Sequence, residues 1–185
     1  MTLETFKQSL KAAAQDGSLA QGVIGDGVLI PGAEGDVPLV YADYVASGRA
    51  MRQVEDFVAN EVLPFYANSH TEASYCGSYI TRLRRAARAE IARVTQAGEE
   101  DAVIFAGSGA TAGLNRLVSL LEVNKANAPV VFIGPYEHHS NILPWRESKA
   151  KVVEIPEATQ GGVDLVALRA ALVQHASSDL LIGSF

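Results

Sequence analysis

The second half of the chain alternates between two periodicities. Four short apolar runs, AVIFAG (102–107), APVVFIG (128–134), KVVEIP (151–156) and DLLIGSF (179–185), are separated by stretches with helical spacing. A strand, a helix-length connection and another strand imply a crossover, and crossovers within one sheet are right-handed and give parallel strands. The pattern therefore predicts an α/β fold of three layers, helices on both faces of a mostly parallel sheet. Ligands in such sheets sit beyond the carboxyl ends of the strands, where loops lead into helices. Two loops qualify, 106–112 and 134–141.

The first half is less regular. Leu3, Phe6, Leu10 and Ala13 or Ala14 share one face of a helix over residues 3–15. A glycine-punctuated arm with one short strand follows. VPLVYADY (37–44) reads as a strand ending at Asp43, and Met51, Val54, Phe57, Val58 and Val62 predict a helix over 49–64. A loop leads to a third helix over 79–97, with Ile80, Leu83, Ala87, Ile91 and Val94 on one side. Its other side carries Arg82, Arg84, Arg85, Arg88 and Arg93, read as a solvated face. The apolar run closing the sequence predicts that these 185 residues are the N-terminal portion of a longer protein, because parallel strands need cover on both faces.

Composition excludes several classes. A net charge of −6 argues against a protein that binds nucleic acid by neutralising phosphates. No apolar run is long enough to span a bilayer, and the mixed-charge N-terminus lacks the plan of a signal peptide. One cysteine, Cys76, builds no disulfide within the chain, and there is no CxxC pair for a metal. These features predict a cytoplasmic protein with neither nucleic-acid nor membrane partner.

The loop AGSGATAGLNRL follows a strand and opens a helix. Its small residues admit a ligand close to the backbone, and the free N–H groups of a helix start favour an anion, with Thr111 adding a hydroxyl. No Gly-Lys-Ser/Thr follows, so it is not a Walker A loop, and Gly107, Gly109 and Gly113 miss the dinucleotide register. A ligand-free tight turn is the alternative. In GPYEHHSNILPWRE (134–147), neighbouring side chains of an extended backbone point to opposite faces, so His138 and His139 do not share a metal. A zinc site would need a third ligand, and the only other histidines are His70 and His175. Ser140 or Asn141 can cap the next helix, Pro144 fits its first turn, and Trp145 packs on the sheet.

YADYVASG, FYANSHTEASYCG, SGATAGLNRL, EHHSNILPWRE and VVEIPEATQGGVDLVALRAAL occur in the order and spacing of class V pyridoxal-phosphate enzymes. The chain resembles most the cysteine desulfurase and selenocysteine lyase branch, over about residues 38–185. The resemblance implies a fold-type I enzyme, with residues 1–37 joining the small domain and 38–185 beginning the large, cofactor-binding domain. It implies that His138 stacks on the pyridoxal ring and assists proton transfer. It places Gly109, Ala110 and Thr111 at the cofactor phosphate and Asn115 in the helix behind them, and sets Asp43, Ala46 and His70 near the substrate pocket. It further implies a small amino-acid substrate, a homodimer, and dependence on the remainder of the chain. The family's Schiff-base lysine has no counterpart among Lys7, Lys11, Lys125, Lys149 and Lys151, so the chain alone is expected to be inactive. Cys76 is read as a buried or incidental thiol and not as a desulfurase nucleophile. Two other readings are a non-catalytic remnant and a small α/β phosphate or nucleotide binder.

Overall fold

The computed structural model describes residues 2–69 and 72–185. The chain forms two compact units, one ending at Val103 and the other starting at Ile104.

In the first unit, α1 (Leu3–Gln15) opens with a reciprocal cap. The Thr2 hydroxyl accepts from the Thr5 amide and the Thr5 hydroxyl in turn accepts from the Thr2 amide. The arm contains an antiparallel hairpin of β1 (Leu29–Gly32) and β2 (Gly35–Pro38). The expected strand over 37–44 thus ends early. Pro38 has no N–H to extend a ladder, Leu39 makes one last bond to the Val28 carbonyl, and Tyr41 bonds the Ser47 carbonyl across a turn. The helix expected over 49–64 is α2 (Arg52–Phe57), continued by a wider π turn (Val58–Val62) and a tighter 3₁₀ turn (Leu63–Phe65) containing Pro64. The helix expected over 79–97 is α3 (Tyr75–Thr95), with the Ser74 hydroxyl accepting from the Gly77 amide.

Two contacts hold α1 within this unit. Phe6 stacks on Phe57 with ring centres 4.3 Å apart, and Lys7 Nζ lies 2.9 Å from Glu90 Oε2. Glu90 also accepts from Arg93, one turn along α3. The Arg93 and Lys7 hydrogen bonds pull its carboxyl down from the usual range to about 2. The pair is solvent-accessible and therefore open to screening.

The second unit is the three-layer core. It contains α4 (Gly109–Leu120), β3 (Val130–Ile133), α5 (His139–Glu147), β4 (Lys151–Glu154), α6 (Leu165–Gln174) and β5 (Leu181–Ser184). The strands are parallel, in the order β4-β3-β5. The central strand, VVFI, is buried along its whole length. Because side chains alternate, Val131 and Ile133 enter one cluster with Val118, Val123 and Trp145, packed by Leu114 and Ile142 of α4 and α5. Val130 and Phe132 enter the other, with Ile155 and with Ala167 and Leu168 of α6. This is the arrangement the alternation predicted, with one exception. AVIFAG is not a strand: neither β4 nor β5 takes it as a neighbour, and Ile104 and Phe105 are 51% and 45% exposed. Apolar composition alone does not make a strand.

Trp145 has no solvent exposure and is the only tryptophan. Its indole N–H is nonetheless satisfied, by Asn141 Oδ1 at 3.3 Å and Ser184 Oγ at 3.1 Å. No helix among the described residues is long and apolar enough to cross a membrane.

Trp145→Ala is expected to cost about 3–5 kcal/mol through cavity formation and lost burial, read as a lower denaturation midpoint. For Glu90, a depressed carboxyl stabilises the fold above its unfolded value and loses that effect as pH falls. The melting-temperature advantage of wild type over Glu90→Gln should therefore be present at neutral pH and low salt, and should shrink as pH drops from the ordinary 4.5 towards about 2. An advantage that persists unchanged at pH 2 would count against this role for Glu90.

Candidate functional site

The carboxyl edge of the parallel sheet gathers the starts of α4 and α5. At α4, Gly107 and Gly109 adopt φ of +115° and +67°, values that L side chains rarely take. A Cβ on Gly109 would meet no atom within 4 Å, so there the requirement is conformational and not steric. The N-cap residue Ser108 makes no side-chain capping bond, whereas α1, α3, α5 and α6 are capped by Thr2, Ser74, His138 and Asp164. The first amides of α4 are therefore left for another acceptor, and Ala110 and Thr111 are exposed beside them.

At α5 the cap differs from the sequence expectation. Neither Ser140 nor Asn141 caps the helix; His138 does, its Nδ1 accepting from the Ser140 amide at 3.1 Å. The helix consequently starts at His139, and Pro144 lies beyond the first turn, where it has no N–H for the Ser140 carbonyl. The burial of Pro144 and Trp145 against the sheet compensates the lost bond.

One residue joins the two helix starts. Ser140 Oγ lies 2.9 Å from Thr111 Oγ1 and 3.0 Å from His138 Nδ1. The phosphate-type loop and the histidine selected by sequence are thus adjacent. Ser140 itself was anticipated only as a helix cap, and nothing in its local sequence shows the partner 29 residues away. A second chain lies beneath: Asn141 donates to Glu137 Oε2 at 2.6 Å and accepts from Ser184 at 2.5 Å and from Trp145. The spacing of four between Glu137, Asn141 and Trp145 was readable in sequence, but the Ser184 contribution was not.

The remaining candidates divide. Asn115 directs its amide to the Thr111 carbonyl at 2.9 Å, steadying the turn that carries Thr111. Asp43 and Ala46 form a turn in the first unit, with the Ala46 amide bonded to the Asp43 carbonyl at 3.2 Å. His70 lies outside the described residues. The rings of His138 and His139 are 6.0 Å apart and nearly perpendicular, and no metal-holding cluster occurs among the described residues. Tyr136, in the same loop, bonds Glu157, which raises its phenol above the usual range, and accepts from the Gly162 amide at 3.3 Å. The loops after β3 and β4 are thereby tied at their mouths.

Gly109→Ala is expected to destabilise the unit by about 1–2 kcal/mol through left-handed strain, measured by chemical denaturation. His138→Ala should cost about 1 kcal/mol through loss of the cap, and His138→Asn, whose side chain can also cap, should recover most of it.

Residues 40–178 match the family described as Aminotransferase class-V. A probable cysteine desulfurase of Pseudomonas aeruginosa is 31% identical over 109 residues, which is 59% of this chain and 27% of that protein. A probable cysteine desulfurase of Streptomyces coelicolor is 32% identical over 115 residues, 58% of this chain and 27% of the relative. A cysteine desulfurase of Plasmodium vivax is 34% identical over 110 residues, covering 56% and 20%. The matched stretch thus spans about a quarter of the length of these curated relatives. Matched over residues 40–178, most of its length, this chain belongs to the class V aminotransferase family.

Proposed function

We propose that the chain provides the phosphate-holding and ring-facing wall of a pyridoxal-phosphate site in a cysteine desulfurase-like enzyme acting on an amino acid. Enzymes of this family depend in general on that cofactor. The observation that carries the reading is the adjacency of Thr111, Ser140 and His138 at the carboxyl edge of the sheet. The residues suit the group. The α4 amides without a side-chain cap, with Gly109 and Ala110 leaving room, are donors for a phosphate, and the Thr111 hydroxyl adds another. The exposed His138 ring, held through Nδ1, leaves its face for a planar heterocycle and Nε2 as the atom that holds or releases a proton. Bound pyridoxal phosphate supplies an electron sink for bond cleavage at the substrate α-carbon.

The three lysines of this unit lie away from that edge. Lys151 opens β4 at its amino end, the Lys149 amide bonds Asn124, and Lys125 pairs with Glu122. The chain alone therefore holds pyridoxal phosphate without a covalent bond, and it does not release sulfide from cysteine. The reading assigns no Schiff-base lysine, acidic partner of the pyridine nitrogen or desulfurase nucleophile to the residues of this chain.

Equilibrium dialysis with pyridoxal phosphate tests this reading. The chain should bind it, borohydride should leave the intact mass unchanged, and Thr111→Val should weaken binding about tenfold, the scale of one hydrogen bond to a charged group. A rise in melting temperature with nucleotide and none with pyridoxal phosphate would favour a phosphate-binding protein of another kind. A reduced adduct on any lysine of this chain would overturn the non-covalent reading.

A further inference from the structure

We infer that Ser140 is a positioning residue that couples the hydroxyl of Thr111 to the imidazole of His138. It deepens the site reading above, although the coupling itself is a property of the chain without cofactor. The donor arithmetic gives the chain a direction. Nδ1 of His138 accepts from the Ser140 amide, so the neutral ring carries its proton on Nε2. The Ser140 hydroxyl, 3.0 Å from the same nitrogen, can then only donate to it. With its proton so committed, Ser140 Oγ accepts from Thr111 Oγ1 at 2.9 Å. The order Thr111 to Ser140 to His138 gives each hydroxyl a donor role, with the Ser140 amide and hydroxyl sharing the one lone pair of Nδ1.

Two consequences follow. The ring nitrogen is held from one residue by both amide and hydroxyl, which fixes the tautomer and presents Nε2 outward. The single Thr111 proton also has two competing uses. An anion at the start of α4 draws that proton away from Ser140, and Ser140 then loses the donor that polarises its own O–H. Each bond in such a chain strengthens the next by roughly 10–30%, so occupancy at α4 is registered at the His138 ring. The backbone amide bond to Nδ1 is unaffected by changing the Ser140 side chain, so α5 keeps its cap in the variants below.

The test is a double-mutant cycle on the uniformly ¹⁵N-labelled chain, read as ring-nitrogen chemical shifts of His138 at a pH where the imidazole is neutral. Thr111→Val should move the Nδ1 resonance downfield, because the bond from Ser140 weakens. Ser140→Ala should move it further, and Thr111→Val should add nothing in the Ser140→Ala background. Ser140→Thr should restore the wild-type response. Equal effects of Thr111→Val with and without the Ser140 hydroxyl would overturn the coupling, as would no effect in wild type. Far-ultraviolet circular dichroism on each variant confirms that α5 is retained, which separates lost coupling from lost structure. Pyridoxal phosphate and inorganic phosphate are then added separately, and either should shift Nδ1 downfield in wild type but not in Ser140→Ala. A cycle that shows coupling in a chain that binds neither compound would sustain the role of Ser140 and remove the cofactor reading. Binding without coupling would do the reverse.

Discussion

The burial of β3 on both faces is the constraint on which the second unit depends. Four residues, Val130 to Ile133, alternate between two apolar clusters, and each cluster recruits its own helices. Strands β4 and β5 lie on either side, so every backbone group along β3 finds a partner in a parallel ladder. Burial at about 25 cal/mol per Å² of apolar surface makes this central stack the main stabilising term of the unit. The loop leaving its carboxyl end inherits that rigidity and carries His138.

Trp145 connects the core to the site. Its ring belongs to the apolar cluster on the α4–α5 face, while its N–H belongs to the network of Asn141 and Ser184. That network includes Glu137, one residue before the capping histidine. A helix of nine residues with an internal proline has little stability of its own. Its orientation is set by the buried tryptophan at one end and the His138 cap at the other. The site residues are therefore exposed, yet their backbone is anchored to the best-packed part of the chain.

The first unit rests on different terms. Phe57 is its only buried large apolar side chain among the described residues, and it is met by Phe6 of α1. Ion pairs and aromatic contacts add to it, including the Lys7–Glu90 pair and the tilted rings of Phe65 and Tyr79. The ion pairs among these weaken with salt and contribute modestly at an exposed surface. Membership of a family of pyridoxal-phosphate enzymes draws its local support from the second unit, where the glycine-rich turn and the histidine loop meet.

By itself the sequence determined the alternation of strand and helix after residue 128, the three-layer arrangement, the two loops at the carboxyl edge and the burial of Trp145. These are periodic or local properties: side-chain spacing, glycine conformational freedom and the hydrophobicity of short runs. Tertiary structure decided what depends on a partner. AVIFAG and YADY have strand composition, yet both lie outside the strands formed among the described residues. The cap of α5 passed from Ser140 to His138 because the imidazole nitrogen reaches the Ser140 amide, which frees the Ser140 hydroxyl to face Thr111. Hydrogen bonds between residues far apart in sequence leave no periodic trace. Only the packing of α4 beside α5 could bring that serine, threonine and histidine together.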